Sequence, residues 1–148
     1  MREAGARIML INDGDVSGVI ATTGYNAGVD MYMGTGGAPE GVLAAAALRC
    51  IGGQMQGRLV FRNDDERGRA ERWGITDFDR KYGLHDLAGG DVMFAATGVT
   101  DGTMLQGVRR RFKGAQTHSM VMRSSTGTVR FITADHNFHR KTWAGGGI

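Results

Sequence analysis

The sequence predicts one mixed α/β (α+β) domain in which helices layer against a sheet. Three observations carry that prediction. Helix-patterned and strand-patterned runs alternate up to about residue 90, and from Asp91 onward the period becomes that of consecutive strands separated by turn signals. The chain holds 25 glycines and a single proline without low-complexity repeats, a composition that goes with tight turns and close approaches of backbone to backbone or ligand. At 148 residues, 41% hydrophobic and 22% charged, it fits one domain, residues 1–148, with a sizeable core and no linker that would split it.

The elements follow in order. Residues 1–5 read as the end of a helix with Gly5 as its C-cap, so the chain is expected to have been cut from something longer. Ala6–Ile11 alternates as a strand, which Asn12-Asp13-Gly14-Asp15 ends; Val16–Thr22 reads as a short helix of small residues. Val29–Met33 is a second short strand, closed by Gly34-Thr35-Gly36-Gly37. The strongest helix runs from Pro39 to Cys50, with Gly52-Gly53 as its stop. Asp64–Trp73 is a charged surface helix, and residues 75–90 are short helical pieces and turns. Strands are then expected over Asp91–Val99, Gly107–Phe112, Thr117–Arg123 and Thr128–Ala134. Turns at Asp101-Gly102, Lys113-Gly114 and Ser125-Thr126-Gly127 part them. Residues 144–148 are expected to be a flexible tail.

Composition also excludes classes of function. No apolar run is long enough to span a membrane, Val42–Ala47 being the longest candidate, and the N-terminus lacks the apolar core of a secretory signal. The single cysteine, Cys50, rules out an internal disulfide and points to a reducing, cytoplasmic home. The net charge of +3 raises the question of nucleic acid. The basic run Arg109-Arg110-Arg111 lies inside a strand pattern, however, and no aromatics interleave with it as a stacking platform, so no nucleic-acid role is expected.

Two strand-end loops could carry chemistry. Asp13-Gly14-Asp15 places two carboxylates directly after an apolar run, where ligands gather in α/β sheets. They can accept hydrogen bonds from sugar hydroxyls or coordinate a hard cation; equally, they can form an Asx-type turn in which Asp15 caps the next helix. In Gly34-Thr35-Gly36-Gly37-Ala38-Pro39-Glu40-Gly41 the glycines let backbone N–H groups turn toward a ligand. Pro39 suits the first helical position, and the helix N-terminus attracts negative charge. No Gly-Lys-Ser/Thr follows, so this is not a P-loop. Glu40 either satisfies the helix dipole or, beside a phosphate, requires a divalent cation between the two; we read it as a metal ligand. The loop Thr97–Gly102 is equally a hairpin turn or the edge of a site. The four histidines show no zinc spacing and read as structural, and Cys50 reads as core.

Several strings resemble the class II fructose-1,6-bisphosphatases. They are Asp13-Gly14-Asp15-Val16, Gly36-Gly37-Ala38-Pro39-Glu40-Gly41-Val42, Gly52-Gly53 with Gly57-Arg58-Leu59, Ala95–Gly102 and Thr117–Arg123. They occur in that order, and the resemblance runs from Arg2 to about Trp143. It implies a layered fold similar to the inositol-monophosphatase-like sugar phosphatases, of which this chain is the C-terminal half. It also implies hydrolysis of the 1-phosphate of fructose 1,6-bisphosphate with Mn²⁺ or Mg²⁺, in gluconeogenesis, with sedoheptulose 1,7-bisphosphate taken by some members. The resemblance makes Asp13, Gly14, Asp15 and Gly37 substrate contacts and Glu40 a metal ligand, and assigns no catalytic residue within this chain.

Family members carry an upstream half with further Asp/Glu ligands and a threonine that positions the attacking water. One glutamate cannot hold the metal cluster that the reaction needs, so the chain alone is expected to be a poor enzyme or none. A homo-oligomer, or association with the missing N-terminal half, is expected to complete it. The alternative is a non-catalytic module that binds sugar phosphates or assembles with another chain.

Overall fold

Gly5, in the left-handed conformation (φ 72°), closes a 3-10 turn over Arg2–Ala4, in the role its position predicts. The structure, a computed structural model, describes residues 1–24 and 28–140; the expected tail over residues 144–148 lies outside them. Six elements follow before the main sheet: α1 (Asp15–Ala21), α2 (Ala38–Ile51), β1 (Gln56–Gly57), α3 (Asp64–Arg72), β2 (Tyr82–Gly83) and α4 (Leu84–Leu87). Then come the sheet strands β3 (Met93–Thr97), β4 (Arg109–Arg111), β5 (Gly114–Arg123) and β6 (Thr128–Asn137).

Two expected strands are not formed. Ala6–Ile11 and Val29–Met33 carry no ladder, and their large apolar side chains stand in solvent: Leu10 is 85% exposed, Met9 72%, Met31 and Met33 66% each. The cause is the absence of a paired strand. Period-two alternation describes a strand only where another strand accepts its backbone hydrogen bonds, and among the described residues none lies beside either run. The helices keep to their expected places within a residue or two. Small side chains make α2 the pivot of the fold, because Ala44, Ala45, Ala47, Leu48 and Cys50 are all buried along its length. Gly52, at φ 85°, ends it by donating its N–H to the Leu48 carbonyl.

In the main sheet β5 is the central strand. β6 pairs with it over all ten residues, from Gly114↔Asn137 to Arg123↔Thr128. Both β3 (Met93↔Arg123 to Thr97↔Ser119) and β4 (Arg109↔Gln116 to Arg111↔Gly114) are also antiparallel to β5. Since β6 occupies one edge of β5 throughout, β3 and β4 must share the other, end to end. They do not pair with each other as strands, and the Thr97–Gly102 loop lies in the stretch that links them. Residues 98–108 form a bulge between the two strands that folds back on itself like a short hairpin, Val108 donating its N–H to the Val99 carbonyl (3.1 Å) and Gly102 to the Leu105 carbonyl (3.0 Å). Asp101 holds that bulge by accepting from the Gly107 N–H (2.9 Å) and from both guanidinium nitrogens of Arg109 (2.9 and 2.8 Å).

The core lies between the sheet and α2. Ala47 and Cys50 of α2, Ile20 of α1, and Phe94, Leu105, Met120 and Met122 form one buried cluster. Met120 and Met122 alternate on one face of β5, opposite Phe131 and Val129 of β6. On its other side α2 buries Leu48 and Ala44 against Val19 of α1, with Tyr32, Met55 and Leu84 packed around them. Burying Leu48 to 1% exposure contributes about 2 kcal/mol of transfer free energy. The layers are therefore sheet, α2, and α1 with α4. Such an α+β arrangement agrees with the predicted class. Arg109-Arg110-Arg111 forms β4, as the strand pattern implied, and Cys50 is core at 2% exposure.

Candidate functional site

The chain that leaves Ile11 turns through Gly14, whose φ of 89° only glycine adopts freely, and enters α1 at Asp15. Gly14, not Asp15, is the N-cap, and it offers no side chain to the helix. The capping reading of Asp15 is thus corrected: its carboxylate points away from its own helix. One oxygen, Oδ1, accepts the Tyr32 hydroxyl at 2.7 Å. The other, Oδ2, lies over the backbone of Gly36, so close that a Cβ there would collide with it. Asp13 stays with its own loop, its Oδ1 accepting the Gly14 N–H at 2.7 Å. Ser17 ties the same turn from the other side by donating to the Gly14 carbonyl at 2.7 Å.

The second loop arrives at the same place. Gly37 is the N-cap of α2 in an extended conformation, and the helix starts at Ala38, so Pro39 is its second residue and not its first. Glu40 sits in the first turn, and its carboxylate folds back over Gly37, where Oε2 leaves no room for a Cβ. Two consecutive glycines are therefore each covered by one carboxylate, Gly36 by Asp15 and Gly37 by Glu40. The N-termini of α1 and α2 converge there, and their dipoles partly offset the two negative charges. The loop from Gly34 to Glu40 is open to solvent. Of the predicted site residues, the structure thus brings together Asp15, Gly37 and Glu40, with Gly14 shaping the approach; Asp13 lies at the rim.

Sequence reasoning missed Tyr32. Its ring lies against Gly18 of α1, where a Cβ would stand 3.0 Å from two ring carbons and from Ile11 Cδ1. Its hydroxyl passes Gly34, where a Cβ would stand 2.8 Å from the oxygen. Bonding to the Asp15 carboxylate, with some burial, raises the phenol above its ordinary value near 10, so it stays a donor at neutral pH. The signal for it was a glycine inside a helical run, Gly18, facing an aromatic in the next segment.

The residues present do not complete a shell for a divalent cation. Among the described residues no three His, Cys, Asp or Glu side chains converge to hold one. Glu40 and Asp15 supply two carboxylates at most, fewer protein ligands than such an ion takes in a dedicated site. Two of the histidines serve the scaffold: His118 Nδ1 accepts the Gln106 N–H at 3.1 Å while its ring stacks on Phe131, and His136 Nε2 meets Thr117 Oγ1 at 2.8 Å.

The same segments align with known proteins. The family model described as bacterial fructose-1,6-bisphosphatase, glpX-encoded, matches residues 1–136. A Microcystis aeruginosa protein named D-fructose 1,6-bisphosphatase class 2/sedoheptulose 1,7-bisphosphatase is 42% identical over 153 aligned positions, covering 95% of this chain. A Synechococcus elongatus protein of the same name is 42% identical over 93% of this chain. This chain spans 44% of the length of each of these curated relatives.

Proposed function

The chain belongs to the bacterial fructose-1,6-bisphosphatase family, glpX-encoded, and from that premise we propose that it supplies the substrate loops and one metal ligand of a site that removes the 1-phosphate of fructose 1,6-bisphosphate. The observation that carries the proposal is the pairing of Asp15 with Gly36 and of Glu40 with Gly37 at the meeting point of two helix N-termini. Asp15 and the Asp13–Gly14 turn offer acceptors for sugar hydroxyls, and the backbone at Gly36 and Gly37 lies where a phosphorylated ligand meets the positive end of α2. Glu40 stands where it could share a divalent cation, Mn²⁺ or Mg²⁺, with carboxylates from outside the described residues. No step is assigned to that cation, since this chain alone does not complete its shell. By extension the substrate range includes sedoheptulose 1,7-bisphosphate, the setting is gluconeogenesis in the cytoplasm, and the fold is that of inositol-monophosphatase-like enzymes.

Completion requires a partner. Ile8, Met9, Leu10 and Ile11 lead directly into the Asp13–Asp15 turn, and Met31 and Met33 flank Tyr32; all are exposed apolar side chains next to the site. Exposed apolar side chains gathered in two segments that lead into the site support an interface there. It supports association with the part of the family sequence that this chain does not span, or with a second copy. It also supports the second reading, a module that binds sugar phosphates and assembles with another chain without turnover. Assaying the purified chain with Mn²⁺ and fructose 1,6-bisphosphate separates the readings. Phosphate release should be at or near background for the chain alone and should rise when the unmatched segment of a curated relative is added. Full turnover by the chain alone would refute the need for a partner; no turnover and no sugar-phosphate binding under either condition would refute both readings.

A further inference from the structure

We propose that Tyr32 is a positioning residue for the phosphorylated-sugar site: it fixes the Asp15 carboxylate over Gly36 and so sets the distance between the two ligand loops. The inference rests on the reading above that Asp15 and Gly37 face the sugar phosphate. Tyr32 touches Asp15 in the first loop, Gly34 in the second and the helices that carry them. Its hydroxyl donates to Asp15 Oδ1 at 2.7 Å, which leaves Oδ2 directed at Gly36. Its ring is seated between Gly18 of α1 and the Gly34 end of the second loop, with room on neither side for a Cβ. It packs on the cluster of Val19, Ala44 and Leu48 that clamps α1 to α2.

Three consequences follow from this seating. The ring is held on several sides, so the hydroxyl has little freedom to leave the carboxylate. A carboxylate with one oxygen occupied by a fixed donor presents the other in a defined direction, so less ordering entropy is lost when a sugar hydroxyl binds. And because Oδ2 lies over Gly36, an Asp15 allowed to swing would change how much negative charge stands over the loop that leads into α2. Tyr32 prevents that swing without touching the ligand itself. The glycines at 18, 34 and 36 belong to the same device: each is a position where a side chain would displace Tyr32 or Asp15.

The test uses the whole 148-residue chain and reads amide resonances of Gly36 and Gly37 by two-dimensional NMR. Four forms are compared: wild type, Tyr32→Phe, which keeps the ring and removes only the hydroxyl, Asp15→Asn, and the double variant. In the absence of ligand, Tyr32→Phe should move the Gly36 and Gly37 amides, and it should move them far less when Asp15 is already Asn. In titrations with fructose 1,6-bisphosphate, Tyr32→Phe should weaken binding about fivefold or more, with no further loss on the Asp15→Asn background, while the thermal midpoint falls by no more than about 4 °C. Unmoved glycine amides in ligand-free Tyr32→Phe, or an equal loss of affinity on both backgrounds, would overturn the proposal. A wild-type chain whose spectrum does not respond to fructose 1,6-bisphosphate would overturn the substrate reading and, with it, Tyr32's role toward a ligand. The ligand-free spectra would in that case still decide whether Tyr32 orients Asp15.

Discussion

Replacing Gly36 by alanine tests the geometry of the site with one methyl group. The backbone there is not left-handed, so alanine is conformationally acceptable, and whatever happens is due to the Asp15 oxygen that the new Cβ meets. To reach ordinary contact the carboxylate must withdraw by about 1 Å. That stretches its 2.7 Å bond from Tyr32 beyond hydrogen-bond range. Hydrogen bonds to charged groups contribute about 1.5–3 kcal/mol, and the half-buried setting reduces the loss to about 1 kcal/mol. Alanine restores up to about 0.5 kcal/mol by restricting the unfolded chain. The net cost, about 0.5–1 kcal/mol, lowers the melting temperature by about 1–4 °C. The functional loss should be larger, because a 1 Å displacement of a positioning group costs up to about 100-fold. Gly41 is the control. It lies inside α2 with nothing within 4 Å of where a Cβ would stand, so Gly41→Ala should stabilise by about 0.5–1 kcal/mol. Thermal unfolding by circular dichroism and titration with fructose 1,6-bisphosphate read the two effects separately. If Gly36→Ala raised the melting temperature as Gly41→Ala does and left affinity intact, the Asp15 carboxylate could not lie over Gly36.

Leu48→Ala should cost about 3 kcal/mol, since the side chain is 1% exposed where α2 meets α1. In calorimetry the midpoint should fall by about 6–12 °C, and a fall under about 3 °C would mean the cluster does not hold the helices together. At the tip between β4 and β5, Lys113 has a φ of 69°; Lys113→Gly should gain about 0.5–1 kcal/mol in denaturant midpoint analysis, and no gain would argue against strain there. Its neighbour should behave oppositely. A Cβ on Gly114 meets the His136 backbone carbonyl, which cannot swing aside, so Gly114→Ala should cost over about 2 kcal/mol and loosen amide protection in both strands. Asp101 sits below the ordinary carboxylate value of 3.8, first through the Arg109 guanidinium and then through the Gly107 N–H. A depressed folded-state value stabilises the fold above the unfolded value and loses that contribution as pH falls through the folded one. Asp101→Asn should therefore lower the melting temperature at pH 6 and leave it nearly unchanged at pH 2; equal losses at both would refute the link.

The helices and the last four strands were legible because their signals are local. Gly5 and Gly52 stop helices through their own backbone freedom, Asn63 caps α3 by accepting the Glu66 N–H at 3.0 Å, and the β5–β6 turn is written in Ser125-Thr126-Gly127. Ala6–Ile11 and Val29–Met33 misled because alternation gives a run two faces without supplying a strand to pair with, and neither run forms a ladder among the described residues. The shared edge of β5 was not readable either: periodicity gives a strand's faces but not its neighbours. At the site, Asp15, Gly37 and Glu40 stood out by residue type and place, and the family resemblance gave them roles. Tyr32 did not, because its part depends on a contact with a residue 17 positions away and on glycines that matter only once the ring is seated.

The pairing of β5 with β6 also bears on the order in which the molecule assembles. These strands match over ten residue pairs and are joined by only residues 124–127, so they can zip from the turn at the microsecond rates of a hairpin. Closing α2 onto Met120 and Met122 means bringing together segments some seventy residues apart, a costlier loop and a later event. Pulse-labelled hydrogen exchange should then find the β5–β6 amides protected before those of α2; the reverse order would rule this out. Such a hairpin would be an early template in folding, with β3 and β4 added along the free side of β5 and the ligand loops ordered last, when α2 docks.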